Sequence, residues 1–152
     1  MPEIKMYRRP DKSEVDQIIE IVKALTGKWF TEDVAEDTKR DLLFQDAICL
    51  IENNRIISFI IFTSWDGDMN ITLMGTHPKS RGKGYGSILI KAFYKYIKEI
   101  GFNRVRVLTV PPDKKSSYES TVNFYLRNGF VMTKRYTEIW GCGAIELIKE
   151  LK

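Results

Sequence analysis

The chain has 152 residues, of which 43% are hydrophobic, and this is enough to bury a core without support from disulfides or metals. Its formal net charge is +4, but 20 acidic residues are scattered among 24 basic ones, which argues against a nucleic-acid-binding protein. We find neither an apolar run long enough to cross a membrane nor a signal peptide. We therefore expect a single cytoplasmic domain over residues 1–152, without nucleic-acid or membrane partners.

The first half of the chain predicts a strand, two helices and three further strands. The strand covers residues 4–8, and the first helix is capped by Ser13 with Asp16 and ended by Gly27. The second helix is capped by Thr31 and runs to about residue 43. Strands at residues 47–52, 56–65 and 69–76 are joined by the turn pairs Asn53-Asn54 and Asp66-Gly67.

A glycine-rich loop follows the strand at residues 69–76 and precedes a long amphipathic helix. Gly82, Gly84 and Gly86 permit backbone conformations that other residues avoid, and the first turn of the helix attracts an anion. The P-loop pattern is excluded because Gly82-Lys83 is followed by glycine, and the dinucleotide fingerprint is excluded because Ser87 stands where its third glycine belongs. The loop therefore predicts a phosphate site of another kind.

The second half of the chain predicts a strand, a short helix and two last strands. Gly101 ends the long helix, and the elements after it cover residues 105–110, 116–128, 130–139 and 144–149. A helix between the strands at 69–76 and 105–110 implies a parallel crossover connection. The two cysteines lie far apart and match no metal-ligand spacing, so we expect both to be reduced, with Cys49 buried in a strand and Cys142 in a glycine-flanked turn.

Two short motifs in this order carry a family resemblance. Arg81-x-x-Gly84-x-Gly86 resembles the acyl-CoA pyrophosphate loop of the GCN5-related N-acetyltransferase (GNAT) family, and the segment from Phe124-Tyr125 to Gly129-Phe130 resembles a second motif of that family. The order of predicted elements agrees with the same family. The resemblance implies an α/β (α+β) fold with a central mixed, mostly antiparallel sheet of about seven strands and about four flanking helices.

The resemblance also implies a function and a site. The function would be an N-acetyltransferase that moves an acetyl group from acetyl-CoA, as co-substrate, to a primary amine by direct attack. The acceptor would be a small-molecule or peptide amine, no metal would be needed, and dimers are common in the family. Tyr125 would be the catalytic residue that gives a proton to the leaving thiolate. The cofactor-binding residues would be Met74, Gly75, Thr76, Arg81, Gly82, Lys83, Gly84, Tyr85, Gly86 and Ser87.

Two departures from the family pattern leave questions open. Many relatives carry an asparagine seven residues before the motif tyrosine, where this chain has Tyr118, and either the contact is lost or Asn123 or Ser117 replaces it. Many relatives also carry a glutamate on the strand before the loop, whereas residues 69–76 contain no acid. The general base is therefore unassigned.

Several side chains are candidates for the roles left open. His77 is the sole histidine, and we interpret it as a structural residue at the strand end. Weaker candidates for the base, or for holding a cationic amine, are Glu138, Asp66 and Asp68.

Two regions are candidates for the acceptor side, and each has a structural alternative. The first interpretation of residues 28–30, Lys-Trp-Phe, is that their aromatic side chains pack against the second helix and position it. The second is that they form a wall of the acceptor cleft. Trp140, within residues 137–143, either lines the acceptor side or plugs the space between the last two strands.

Two other functions compete with the enzyme. A non-catalytic acyl-CoA-binding or sensing module is the main alternative because of the two departures. A basic nucleic-acid-binding domain ranks last because the charges are mixed.

Overall fold

The computed structural model describes residues 2–152. Within them, seven strands and four helices follow one another, with one short 3-10 helix at Pro78–Ser80 after the fourth strand. The elements are β1 Glu3–Tyr7, α1 Lys12–Leu25, α2 Val34–Asp41, β2 Asp46–Glu52, β3 Arg55–Trp65, β4 Asp68–Thr76, α3 Tyr85–Glu99, β5 Arg104–Thr109, α4 Tyr118–Arg127, β6 Val131–Tyr136 and β7 Ala144–Glu150. No helix within residues 2–152 is both long and apolar enough to span a membrane.

The strands form one seven-stranded sheet in the order β1-β2-β3-β4-β5-β7-β6. The pairs β1/β2, β2/β3, β5/β7 and β6/β7 are antiparallel. β4 and β5 are parallel, and their paired stretch runs from Met69–Val105 to Ile71–Val107. This parallel pair is the one predicted from the intervening helix, and the mixed, mostly antiparallel sheet with four helices is confirmed.

The chain divides into two compact units. The first unit runs to Thr63 and takes in Leu73–Phe93. Its core forms because α1 carries apolar residues at helical spacing, and these pack with the buried face of β2 and β3. The buried positions of α1 are Ile18, Ile19, Ile21, Val22 and Leu25.

The second unit comprises Ser64–Thr72 and Tyr94–Lys152. β5 alternates between buried and more exposed residues, as expected of a strand with one covered face. Val105 and Val107 lie on the buried face, while Arg106 on the other face forms an ion pair with Asp68 at 3.0 Å.

The tight turns agree with the sequence prediction, since they depend on local backbone preferences. Asn53 and Asn54 have φ values of 53° and 63°, and Asp66 and Gly67 have values of 54° and 83°. Cys49 is buried in β2, also as predicted.

Both predicted helix starts were wrong by a few residues. α1 begins after Asp11, whose backbone N–H donates to the Glu14 carboxylate at 2.9 Å in a capping box. Asp16, expected in the cap, instead pairs with Lys12. α2 begins after Asp33, and the Thr31 hydroxyl hydrogen-bonds the carboxylate of Asp33 instead of capping the helix directly.

Candidate functional site

The end of β4 passes over the core of the first unit at Gly75. A Cβ atom at this position would lie 3.0 Å from Leu25 Cδ1 and 3.1 Å from Phe59 Cε1. Such distances are tighter than ordinary carbon–carbon contacts, so the side chains of α1 and β3 already fill the space above the strand. Glycine is needed here for close packing, not for an unusual φ.

A buried serine ties the same strand end to β3. The Ser58 hydroxyl lies 3.2 Å from the Gly75 carbonyl oxygen and 2.8 Å from Thr76 Oγ1. Ser58 is fully buried, whereas Met74 and Thr76 are half-buried. The resemblance assigns Met74, Gly75 and Thr76 to the acyl-CoA arm. These residues lie on a strand end that hydrogen bonds and packing hold in place.

His77 shapes the turn that leaves β4. Its backbone N–H donates to the Ile57 carbonyl at 2.8 Å, and its Nδ1 accepts from the Lys79 N–H at 3.1 Å. The imidazole thus caps the short 3-10 helix Pro78–Ser80. This agrees with the structural interpretation of His77.

The glycine loop has the predicted backbone conformation at two of its three glycines. Gly82 and Gly84 have φ values of 79° and 78°, and no atom lies within 4 Å of a Cβ built on either. Gly86 differs, since it lies inside the first turn of α3. Side chains at positions 82 and 84 would be strained and would also occupy open space in front of the loop.

The helix α3 starts directly behind this loop. The Ile88 N–H donates to the Gly84 carbonyl at 3.1 Å, so the amides of Tyr85 and Gly86 precede the first intrahelical hydrogen bond. The Tyr85 hydroxyl donates to Glu52 at 2.7 Å, and this hydrogen bond raises the pKa of Tyr85. Tyr85 therefore anchors the helix start to the end of β2, a role that its place in the motif did not suggest.

Arg81, at the entrance to the loop, lies against an indole. Its guanidinium carbon is 4.3 Å from the centroid of Trp29, and Lys28 Nζ is 4.7 Å from the same ring. Arg81 is exposed as a whole residue, yet loss of solvation lowers the pKa of Arg81. Lys83 is exposed. No motif or periodicity predicts the contact between Trp29 and Arg81.

In the second unit, Tyr125 lies on α4 and is 5% exposed. Its ring centroid is 5.4 Å from that of Phe124 and 5.1 Å from that of Phe130, and both ring pairs are edge-to-face. Burial, with a smaller effect of Tyr118, raises the pKa of Tyr125. The phenol therefore keeps its proton at neutral pH.

Tyr118 begins α4, two turns before Tyr125, and is buried. Burial, with a smaller effect of Cys142, raises the pKa of Tyr118 to about 12. Asn123 is exposed, and Ser117 stands just before the helix without a side-chain cap. An aromatic ring thus fills the place where many relatives carry asparagine.

The remaining base candidates belong to the second unit. Asp68 is held by Arg106, while Asp66 and Glu138 are exposed. Trp140 is 57% exposed, which argues against its interpretation as a buried plug between the last two strands. β6 also ends at Tyr136, and residues 137–143 form the connection to β7.

The first unit combines two features that are typical of phosphate-binding sites: a strand end followed by a glycine loop with positive φ values, and an arginine beside that loop. The acetyltransferase (GNAT) family model matches residues 15–130. The chain therefore belongs to the GNAT family of acetyltransferases.

In the described part of the chain, no group of three or more His, Cys, Asp or Glu side chains is arranged to hold a metal ion.

Solved structures share the fold at low sequence identity. A protein from Desulfovibrio desulfuricans assigned to the GNAT family has a TM-score of 0.86 and 15% identity over 100% of both chains. The ribosomal-protein-S18-alanine N-acetyltransferase of Escherichia coli has a TM-score of 0.80 and 12% identity over 100% of this chain and 95% of that one.

An aminoglycoside 6'-N-acetyltransferase, crystallised with coenzyme A, has a TM-score of 0.77 and 14% identity over 99% of this chain and 97% of that one. These structural similarities cover almost the whole chain, and so extend the fold assignment beyond the residues 15–130 that the family model matches. No curated protein sequence matches the chain.

Proposed function

We propose that the protein is an N-acetyltransferase that moves an acetyl group from acetyl-CoA to a primary amine by direct attack. The observation that carries this proposal is the pair of left-handed glycines, Gly82 and Gly84, behind Arg81 and in front of α3. In a member of the GNAT family, this arrangement is suited to a diphosphate.

The residues of the first unit fit acetyl-CoA. Gly82 and Gly84 leave open space where a Cβ would stand, so a diphosphate can approach the backbone. Arg81 adds a positive charge, and the amides of the first turn of α3 add donors. We assign the phosphates to residues 81–87 and the acyl arm to residues 74–76. Bound acetyl-CoA would supply the thioester carbonyl that the amine attacks.

Tyr125 is proposed as the proton donor. Because burial raises the pKa of Tyr125, its oxygen carries a proton throughout the neutral range. Tyr125 would donate this proton to the departing sulfur, and the proton lost from the amine nitrogen would restore the phenol. A protonated phenol also favours negative charge developing beside it.

The general base stays unassigned, and so does the acceptor. Solved proteins of this fold act on a ribosomal-protein alanine or on aminoglycosides, so a peptide amine and a small-molecule amine are both proposed classes. Residues 28–30 and 137–143 are proposed to face the acceptor. We further propose a single cytoplasmic domain without nucleic-acid or membrane partners, and compatible with a homodimer.

The experiment that tests the proposal measures coenzyme A binding by calorimetry and thiol release from acetyl-CoA with a panel of amines. The panel contains peptides with different N-terminal residues, a polyamine and an aminoglycoside. We expect binding together with amine-dependent thiol release. Absence of coenzyme A binding would contradict the proposal at the donor step. Tight binding without transfer to any amine would favour an acyl-CoA-binding or sensing module.

A further inference from the structure

We propose that Trp29 is a positioning residue that holds Arg81 in place for a phosphate of the acyl donor. The inference rests on the proposed function and adds to it a residue outside both sequence motifs. Its basis is the 4.3 Å separation between the Arg81 guanidinium carbon and the Trp29 ring centroid, which lies within the range of cation–π contact.

The backbone around Trp29 is fixed by a compact turn after α1. The Trp29 N–H donates to the Leu25 carbonyl at 3.1 Å, and the Gly27 N–H donates to the Phe30 carbonyl at 2.8 Å. Gly27 has a φ of 98°, and Phe30 is only 9% exposed in the core of the first unit. Trp29 itself packs against that core. The indole is therefore a rigid support for a side chain that rests on it.

The kind of support matters for an anion site. Within residues 2–152, no carboxylate lies within ion-pair distance of Arg81. A carboxylate would fix the guanidinium but would also neutralise it and compete with a phosphate. The face of an indole orients the guanidinium while leaving its five N–H donors and its full charge available.

Lys28 strengthens this argument because its ammonium lies 4.7 Å from the same ring. Two cations that rest on one indole raise the local positive potential next to Gly82 and Gly84. An anionic ligand of more than one charge, such as a diphosphate, relieves this repulsion. The diphosphate of the proposed donor is an anion of this kind.

The test is a double-mutant cycle on coenzyme A affinity, measured by calorimetry for the wild type, Trp29→Leu, Arg81→Gln and the double variant. We expect Trp29→Leu to weaken binding by about three- to tenfold, a range typical of a partly desolvated cation–π contact. In the double variant, Trp29→Leu should add little to the loss caused by Arg81→Gln. Trp29→Phe should recover part of the affinity, since it keeps an aromatic face.

A second readout is the salt dependence of binding. If Trp29 acts through Arg81, both single variants should show a smaller loss of affinity with rising salt than the wild type. The matched control is Trp65→Leu, which removes an indole that lies 5.8 Å from Arg106 in the second unit. This control should bind coenzyme A with wild-type affinity. Circular dichroism establishes that each variant is folded, and Trp29→Met, which also lacks the aromatic face, serves in the cycle if Trp29→Leu does not fold.

The outcomes separate this inference from the proposed function. Wild-type protein that binds coenzyme A, together with an additive cycle or an unchanged affinity in Trp29→Leu, overturns the inference alone. A raised KM for the amine in Trp29→Leu, with unchanged coenzyme A affinity, also overturns the inference and assigns Trp29 to the acceptor side. Wild-type protein that does not bind coenzyme A overturns both.

Discussion

Tyr125 lies between two aromatic rings and is almost fully buried, so its phenol could serve packing, catalysis or both. Substitution by phenylalanine separates these roles, because it removes the hydroxyl and keeps the ring. If the hydroxyl donates a proton, Tyr125→Phe should lower kcat by about 100-fold or more. Its affinity for coenzyme A should stay unchanged. Steady-state kinetics and calorimetry on the same preparation measure both quantities.

The matched control for this prediction is Tyr94→Phe. Tyr94 is a tyrosine of the same unit, and its hydroxyl donates to the Asn128 carbonyl at 2.9 Å. Losing this hydrogen bond should cost about 1 kcal/mol of stability and leave kcat near that of the wild type. A Tyr125→Phe enzyme with wild-type kcat would assign Tyr125 to packing only.

The glycine loop gives a prediction for one structural element. Gly84 has a φ of 78°, a conformation that costs an L-residue about 1–2 kcal/mol. In Gly84→Ala the free loop should relax away from this conformation, and binding must then restore it. We expect coenzyme A affinity to fall by about tenfold, since 1.4 kcal/mol corresponds to that factor. Calorimetric titration with coenzyme A measures the change.

Gly67→Ala is the control for backbone strain. Gly67 has a φ of 83°, and no atom lies within 4 Å of a Cβ built on it, but it lies in the turn between β3 and β4. Gly67→Ala should lose about 1–2 kcal/mol of folding stability, the cost of the same backbone conformation. Its affinity for coenzyme A should stay unchanged. Equal losses of affinity in both variants would mean that general destabilisation, not the loop, weakens binding.

The elements also show what a sequence can reveal. Asn53-Asn54 and Gly84 were predicted correctly because a turn or a left-handed residue is decided by local backbone preference. The cap of α1 was missed because two overlapping pairs, Asp11 with Glu14 and Ser13 with Asp16, offer similar side chains. Local sequence does not rank such neighbours reliably.

Contacts between distant segments could not be predicted at all. The indole of Trp29 meets Arg81, and the Tyr85 hydroxyl meets Glu52, only because the core of the first unit brings separate segments together. No periodicity or motif encodes either pair. Motif position was thus enough to propose the residues of the candidate site, whereas the side chains that contact them could not be predicted.

For the whole molecule, the division into two units predicts a single unfolding transition. β3, β4 and α3 each contribute residues to both units, because the three boundaries fall at Thr63–Ser64, Thr72–Leu73 and Phe93–Tyr94. Neither unit can unfold without breaking two strands and a helix that also contribute residues to the other unit. Scanning calorimetry should therefore give one transition with equal calorimetric and van't Hoff enthalpies. Two resolved transitions would contradict the proposed single domain.

Several buried thiol and phenol side chains are neutral in the folded protein. They predict that the free energy of unfolding falls at alkaline pH. Burial raises the pKa of the Cys49 thiol and of the Tyr94 and Tyr125 phenols, and raises that of Tyr118 to about 12. In the unfolded chain the same thiol and phenols ionise near their ordinary values of 9.0 and 10.0. Above these values the folded protein binds more protons than the unfolded chain, so stability must fall as pH rises.

The decline should begin near the ordinary thiol value and steepen through that of tyrosine, with each group adding up to about 1.4 kcal/mol per pH unit. Urea unfolding at several pH values between about 8 and 11 measures it. Cys49→Ala should lower overall stability by leaving a small cavity, but it should also make the slope shallower, because one titrating group is gone. A free energy of unfolding that stays constant over this range would mean that these side chains titrate alike in the folded and unfolded states.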